Sequence, residues 1–141
     1  MNTLYSTKVT AVGGRSGRVR SEDGLLELPL ALPTTMGGAG GATNPEQLFA
    51  AGYAACFENA VIHVTRNKVA NVKDNDIVVV AEVGLSPNGS GGFALSVALD
   101  VAITGLDQAT AEEVVRAAHA TCPYSNAVRG NINVTITVTT N

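Results

Sequence analysis

Two cysteines are the residues of this chain best suited to redox chemistry. Cys56 lies within the apolar stretch 48–62, and Cys122 follows 66 positions later, directly before Pro123. A lone cysteine in a helix is most often a small buried hydrophobic residue. A residue before proline is pushed toward extended backbone, and we expect a mobile boundary there. One buried thiol and one thiol at such a boundary suit an attacking and a resolving cysteine, which is the chemical alternative to simple packing.

A cysteine attacks as a thiolate, and apolar surroundings raise the pKa of a thiol above its ordinary value of about 8.5, so Cys56 needs a cation nearby. Arg15 is the distinctive candidate, because the glycines within residues 13–17 flank it and allow a sharp turn that aims its side chain inward. Glu46 is the natural partner for a buried arginine, since a carboxylate fixes the orientation of a guanidinium. Both residues also have plainer interpretations. Arg15 suits a solvated turn, and Glu46 suits the positive end of a helix.

The distance along the chain limits how these residues act together. Glu46 and Cys56 are ten positions apart, which on a straight helix is a rise of about 15 Å, so they cannot touch. Either Arg15 reaches the thiol from another segment, or the helix breaks near Gly52 and Cys56 begins a second helix whose positive end lowers the pKa of the thiol. We predict a break at Gly52 together with an arginine bridge.

Other chemistries have weaker patterns. His63 and His119 together with the two cysteines offer zinc-binding atoms, but the spacings are unlike those of zinc fingers, so no metal is predicted. His119 is expected to be a satisfied surface or interface histidine. The glycine-rich stretch 37–41 lacks the Gly-Lys-Ser/Thr ending of a phosphate-binding loop. A cysteine hydrolase would need a histidine oriented by a carboxylate, and no such carboxylate is evident.

Composition excludes several classes of protein. The chain has 141 residues, with 9 basic and 12 acidic side chains and a formal charge of −3. The length suits one domain, residues 1–141, and the charge gives no basic patch for nucleic acid. The apolar stretch 48–62 is shorter than the ~18–20 residues that span a bilayer and contains Glu58 and Asn59, so no membrane association is expected. The N-terminus has no signal-peptide pattern, which favours a cytoplasmic protein.

The order of elements predicts an α+β fold with an antiparallel sheet. Helices are predicted from a cap at Asn44 to residue 62, and from a cap at Asp107 or Thr110 to the residue before Pro123. The first helix has no polar face, so we expect it to be buried on all sides, in part by a second copy of the chain in a homodimer. Strands are predicted from residue type and alternation at residues 3–12, 18–21, 25–31, 77–86, 93–104 and 132–139.

Three blocks of sequence are distinctive when taken together. They are Gly13-Gly14-Arg15, the stretch 40–57 from Gly-Gly-Ala-Thr-Asn-Pro-Glu-Gln to Ala-Ala-Cys-Phe, and Cys-Pro-Tyr-Ser-Asn-Ala at 122–127 with Arg-Gly-Asn at 129–131. In this order they resemble the organic hydroperoxide resistance branch of the OsmC/Ohr family, and the resemblance covers essentially the whole chain. It implies an OsmC-like α+β fold, with an antiparallel sheet and central buried helices, in an intertwined homodimer.

The resemblance also implies a cysteine-based peroxidase that acts on organic and fatty-acid hydroperoxides without a bound cofactor or metal. Cys56 matches the peroxidatic cysteine, Cys122 the resolving cysteine, Arg15 the arginine that stabilises the thiolate, and Glu46 its salt-bridge partner. The implied electron donor is a lipoyl dithiol, dihydrolipoamide, carried by a lipoylated protein. Glu58-Asn59 departs from the less polar sequence expected there, which bears on the polarity of the pocket. The alternative is a non-catalytic dimer in which the two cysteines form a redox-sensing or binding switch.

Overall fold

The computed structural model describes residues 2–68 and 72–141, and the chain forms two compact units, Met1–Leu48 and Phe49–Asn141. The predicted α+β class is confirmed, while the prediction of one domain over residues 1–141 stays a prediction. The strands are β1 (Val9–Val12), β2 (Arg18–Ser21), β3 (Glu27–Pro29), β4 (Ile77–Pro87), β5 (Phe93–Ile103) and β6 (Val134–Thr140). The helices are α1 (Pro45–Lys68), α2 (Gln108–Thr121) and α3 (Pro123–Val128).

The first unit contains an antiparallel sheet in the order β1–β2–β3. The strand predicted over residues 3–12 is wrong in its first half. The ladder runs from Val9↔Ser21 to Val12↔Arg18, and beyond it, among the described residues, only Lys8 is joined to the next segment, by a hydrogen bond from the Glu22 backbone N–H to its carbonyl at 2.9 Å. The strand predicted over residues 25–31 is likewise shorter, and Leu30 forms a single bridge to Thr43 instead of continuing β3.

Helix α1 begins as predicted. The Asn44 side chain accepts a hydrogen bond from the backbone N–H of Gln47 at 2.8 Å, which is the contact expected of an N-terminal cap. The helix then runs unbroken for 24 residues, so the predicted break at Gly52 is wrong. Within this single chain its burial is one-sided, and the predicted cover by a second copy of the chain stays a prediction. The buried positions are Tyr53, Phe57, Ala60, Val61, Val64 and Thr65.

The second unit contains a three-stranded sheet in the order β4–β5–β6. Strands β4 and β5 form the predicted hairpin, with antiparallel pairs from Ile77↔Ile103 to Pro87↔Phe93. Strand β6 instead pairs with β5 in parallel, from Val97↔Val134 to Ile103↔Thr140. The parallel pair was not predicted. The connection through α2 and α3 is long enough to allow it, since a parallel neighbour needs a long crossover rather than a tight turn.

Helix α2 begins at the predicted cap, because the Asp107 carboxylate accepts a hydrogen bond from the Thr110 backbone N–H at 2.7 Å. The core of this unit lies where α1 and α2 meet β5. It includes Phe57, Val61, Leu99, Val101, Ile103, Val114 and Ala118, all of them fully buried. Within residues 2–68 and 72–141, no helix combines the length and the apolar character needed to cross a bilayer.

Candidate redox site

The two cysteines both belong to the second unit and are both free thiols. Cys56 is on α1, and Cys122 is the single extended residue that joins α2 to α3. The backbone N–H of Cys122 donates to Ala118 at 2.8 Å, and its carbonyl accepts from Asn126 at 3.0 Å. Cys122 therefore ends one helix and caps the next, in a short joint with hydrogen bonds on both sides.

The burial of the cysteines is the reverse of the prediction. Cys122 has 0% of its surface exposed, whereas Cys56 is half-buried. Proline does hold Cys122 in extended backbone, as predicted, but Pro123 is also the first residue of α3, a position that its fixed φ favours. The chain therefore passes directly from α2 into α3. A mobile boundary was predicted at Cys122, but the residue is a buried connection between two helices.

The pKa of the Cys56 thiol depends on its burial and on the neighbouring Cys122. Burial raises the pKa of the Cys56 thiol, and the neighbouring Cys122 raises it further through its charge and a hydrogen bond, while the backbone N–H of Tyr124 acts in the opposite direction. Burial is the largest of these causes, because a charged thiolate loses solvation when apolar atoms surround it. Burial and Cys122 together outweigh the Tyr124 N–H, so the surroundings of Cys56 favour the neutral thiol over the thiolate.

Close packing explains why residue 52 of α1 is a glycine. A Cβ atom at Gly52 would lie 2.4 Å from the Tyr124 hydroxyl oxygen and 2.9 Å from Cζ of the same ring. The Tyr124 ring lies 6.1 Å from the Phe49 ring and 5.6 Å from the Tyr53 ring, centroid to centroid. The glycine leaves room for this aromatic side chain, and its backbone keeps the helical conformation.

Arg15 and Glu46 form an ion pair in the first unit. Arg15 Nη1 donates to Glu46 Oε2 at 2.9 Å, and Nη2 lies 2.7 Å from Oε1. Among the described residues, Glu46 Oε1 is buried and has no hydrogen-bond partner, so its contact with Nη2 is an ion-pair contact only. Arg15 lies in a single 3₁₀ turn, and Gly13 and Gly14 before and within it take the left-handed conformation with φ of 84° and 60°.

This ion pair has clear electrostatic consequences. The hydrogen bond from Arg15 lowers the pKa of the Glu46 carboxyl, and the same bond raises the pKa of the guanidinium. The Arg15 side chain is 41% exposed and the Glu46 side chain 17%, so the expected burial of the arginine is not found in this chain. The predicted pairing is present. The role of Arg15 toward Cys56 stays a prediction.

Beside the cysteines lie two linked hydrogen bonds that the sequence did not predict. Tyr53 Oη lies 2.7 Å from Ser125 Oγ, and Ser125 Oγ lies 2.8 Å from His119 Nδ1. His119 is half-buried, and burial and the charge of Arg129 lower its pKa. One feature of the sequence could have indicated these bonds. His119, Cys122 and Ser125 follow one another at intervals of three residues, which brings polar side chains close to the cysteine.

The four residues considered for zinc are not gathered into one cluster. His63 is exposed, and its Nε2 atom lies 3.5 Å from the Asn67 side chain. Over the described ranges 2–68 and 72–141, no group of three or more His, Cys, Asp and Glu side chains is placed to hold a metal ion.

Comparison with known proteins gives a consistent result. The family model described as OsmC-like protein matches residues 38–137. An organic hydroperoxide resistance protein of Xanthomonas axonopodis pv. citri is 46% identical over 136 residues, which is 96% of this chain and 94% of the relative. The crystal structure of an organic hydroperoxide resistance protein from Elizabethkingia anophelis is 44% identical with a TM-score of 0.94, covering 100% of both chains. The crystal structure of an organic hydroperoxide resistance protein from Vibrio cholerae has captopril bound in one of its active sites. It is 56% identical to this chain with a TM-score of 0.93, covering 98% of this chain and 94% of the other.

Proposed function

Because this chain belongs to the OsmC-like family and is similar to organic hydroperoxide resistance proteins over nearly its whole length, we propose that it is a cysteine-based peroxidase that reduces organic hydroperoxides to alcohols. The observation that carries the proposal is the pair of free thiols. Cys56 is half-buried, Cys122 is fully buried, and Cys122 is close enough to raise the pKa of the Cys56 thiol.

The chemistry begins at Cys56. Its thiolate attacks one oxygen of the peroxide, the O–O bond breaks, and the alkoxide leaves and takes up a proton to become an alcohol. The sulfur is oxidised and carries the remaining oxygen as sulfenic acid. The Cys122 thiol then attacks this sulfur, forming the disulfide and releasing one water molecule. Half-exposed Cys56 meets the peroxide, and buried Cys122 meets only the oxidised cysteine.

The first step needs a thiolate, and the surroundings of Cys56 raise its pKa. We assign the compensating charge to Arg15. A guanidinium stabilises the thiolate and also the negative charge that develops on the leaving oxygen. Glu46 acts through Arg15, since the ion pair between them fixes the direction of the guanidinium donors.

The catalytic cycle needs an electron donor that reduces the disulfide. We assign this role to a lipoyl dithiol such as dihydrolipoamide, carried on a lipoylated protein. One of its thiolates attacks the Cys56–Cys122 disulfide, which gives a mixed disulfide and releases one cysteine. Its second thiol then attacks the mixed disulfide, which releases the other cysteine and leaves a cyclic lipoyl disulfide. The protein itself holds no cofactor in this scheme.

The proposal includes a homodimer. Apolar side chains of the first unit are exposed in the single chain, among them Leu4, Tyr5, Val12 and Leu25. The first half of α1 also carries small apolar residues that are exposed or half-buried, such as Ala51, Ala54 and Ala55. Apolar surface of this kind is typical of an interface with a second protein surface. A mass near 29 kDa in sedimentation, about twice 14.4 kDa, is the expected result.

The deciding experiment is steady-state consumption of cumene hydroperoxide with dihydrolipoamide as the electron donor. Wild type is expected to turn over, Cys56→Ser to lose activity, and Cys122→Ser to complete one oxidation and stop with a trappable sulfenic acid. Arg15→Ala is expected to lose a factor on the order of 10², as does the loss of other transition-state donors. Arg20→Ala is the matched control, because Arg20 is an exposed arginine of the same unit paired with Glu27.

Two outcomes would contradict the proposal. If Cys56→Ser kept the activity, the assignment of the attacking thiol would be wrong. If wild type formed the disulfide with hydroperoxide but was not turned over by any dithiol, the non-catalytic redox-sensing dimer would be the better description.

A further inference from the structure

Three polar side chains join the three helices around the cysteines. Tyr53 is on α1, His119 on α2 and Ser125 on α3, and the Ser125 hydroxyl contacts both of the others, at 2.7 and 2.8 Å. Tyr53 and Ser125 are fully buried. A buried hydroxyl that loses its partners keeps its desolvation cost, so such a chain of bonds strongly favours one arrangement of the helices.

The chain of bonds is arranged around the two thiols. Tyr53 precedes Cys56 by three residues on α1, which places the two about one helical turn apart. His119 and Ser125 lie three residues before and three residues after Cys122. The hydrogen bonds therefore connect the segment that carries one cysteine to both segments that flank the other.

The protonation of His119 bears on which atom donates in each of these hydrogen bonds. Burial and then the charge of Arg129 lower its pKa, which favours the neutral ring at neutral pH. With Nδ1 as acceptor, Ser125 donates to His119 and accepts from Tyr53, so each of the two hydroxyl hydrogens has a partner. Arg129 adds a second tie between α3 and α2, because its guanidinium donates to the His119 carbonyl and to the Asn126 side chain.

We propose that Tyr53, Ser125 and His119 are positioning residues that hold Cys122 in register with Cys56 and so raise the effective concentration of one thiol toward the other. The inference rests on the proposed role of the two cysteines. Disulfide formation between fixed groups is favoured because the entropy of bringing them together is lost in advance. None of the three residues needs to touch the peroxide for this role.

The test measures the Cys56–Cys122 disulfide at equilibrium, without peroxide. The protein is incubated with mixtures of reduced and oxidised dithiothreitol, which supply and accept the two electrons and two protons of the exchange, and the disulfide fraction is read by mass spectrometry after acid quenching. In Ser125→Ala and Tyr53→Phe, the equilibrium constant for the disulfide is expected to fall on the order of tenfold, as for the loss of one buried hydrogen bond. Ser125→Thr keeps the hydroxyl and is expected to recover most of the loss.

Thr65→Val is the matched control, because Thr65 is a buried hydroxyl residue on the same helix whose bond goes to the Ile62 carbonyl. It is expected to lower the unfolding temperature without changing the disulfide equilibrium. If Ser125→Ala does not fold, Tyr53→Phe decides, since its ring still fills the core. An unchanged equilibrium constant in a folded Tyr53→Phe, or an equal fall in Thr65→Val, would overturn the inference. Failure of the proposed function is separate, since it appears as a lack of hydroperoxide consumption by wild type.

Discussion

Replacing Gly52 by alanine tests the packing of Tyr124 against α1. Alanine in a helix interior is more favourable than glycine by about 1 kcal/mol. The new methyl group would lie 2.4 Å from the Tyr124 hydroxyl oxygen and 3.2 Å from Cε2 of the ring, so the ring must move. Overpacking of this kind costs about 1–3 kcal/mol. We therefore expect Gly52→Ala to lower the free energy of unfolding by about 0–2 kcal/mol, despite the better helix propensity.

A second variant, Tyr124→Ala, separates the steric effect of the ring from the helix propensity of residue 52. In Tyr124→Ala the ring is absent, so adding Gly52→Ala is expected to raise stability by the full propensity term of about 1 kcal/mol. The difference between the two backgrounds, about 1–3 kcal/mol, is the coupling energy of the pair.

Urea unfolding followed by circular dichroism, at one fixed protein concentration, gives these free energies. The reasoning is refuted if Gly52→Ala stabilises the protein equally with and without the Tyr124 ring. In that result the glycine would not be needed to make room for the Tyr124 ring.

Two further predictions concern pH. The Arg15 hydrogen bond lowers the pKa of Glu46 below its ordinary value of 4.5, so the ion pair stabilises the fold above that pH and the contribution disappears as the pH falls through the lowered pKa. Glu46→Gln is expected to lower the free energy of unfolding by about 0.5 kcal/mol at pH 7, since Arg15 is well exposed. In acid its stability is expected to match that of wild type. Urea unfolding at a series of pH values tests this, and an equal loss of stability at all pH values would contradict it. The pKa of His119 is lowered first by burial and then by Arg129, so Arg129→Gln is expected to raise it toward its ordinary value of 6.5, as measured by NMR titration of the ring protons; no upward movement would contradict the electrostatic argument.

Local features were predictable where a short stretch of chain determines them. The caps at Asn44 and Asp107 depend on one side chain and a backbone N–H three residues later, and both form as predicted. The pairing of Arg15 with Glu46 was also predictable, because a glycine-rich turn and the first turn of a helix offer opposite charges. Each of these features depends on a few residues with strong individual preferences.

Features that depend on distant packing were not predictable. The sequence around Gly52 gives no sign that a tyrosine 72 positions away fills the space over the glycine, so the helix break was a reasonable but wrong prediction. The burial of Cys122 depends on α3 packing back on α2, and the preference of proline for extended backbone before it fits either a loop or a joint between helices. The hydrogen bonds of Ser125 likewise need three helices in place.

The aromatic residues near the cysteines give the protein an optical signal of its own. The chain has no tryptophan and three tyrosines, and two of these, Tyr53 and Tyr124, lie together in the second unit beside the thiols. The third, Tyr5, is 78% exposed, so water surrounds it in the single chain. Tyrosine emission is quenched by a nearby disulfide and is not masked by tryptophan here. If Cys56 and Cys122 form the proposed disulfide, changes in ultraviolet fluorescence are expected to report its formation in the unlabelled protein.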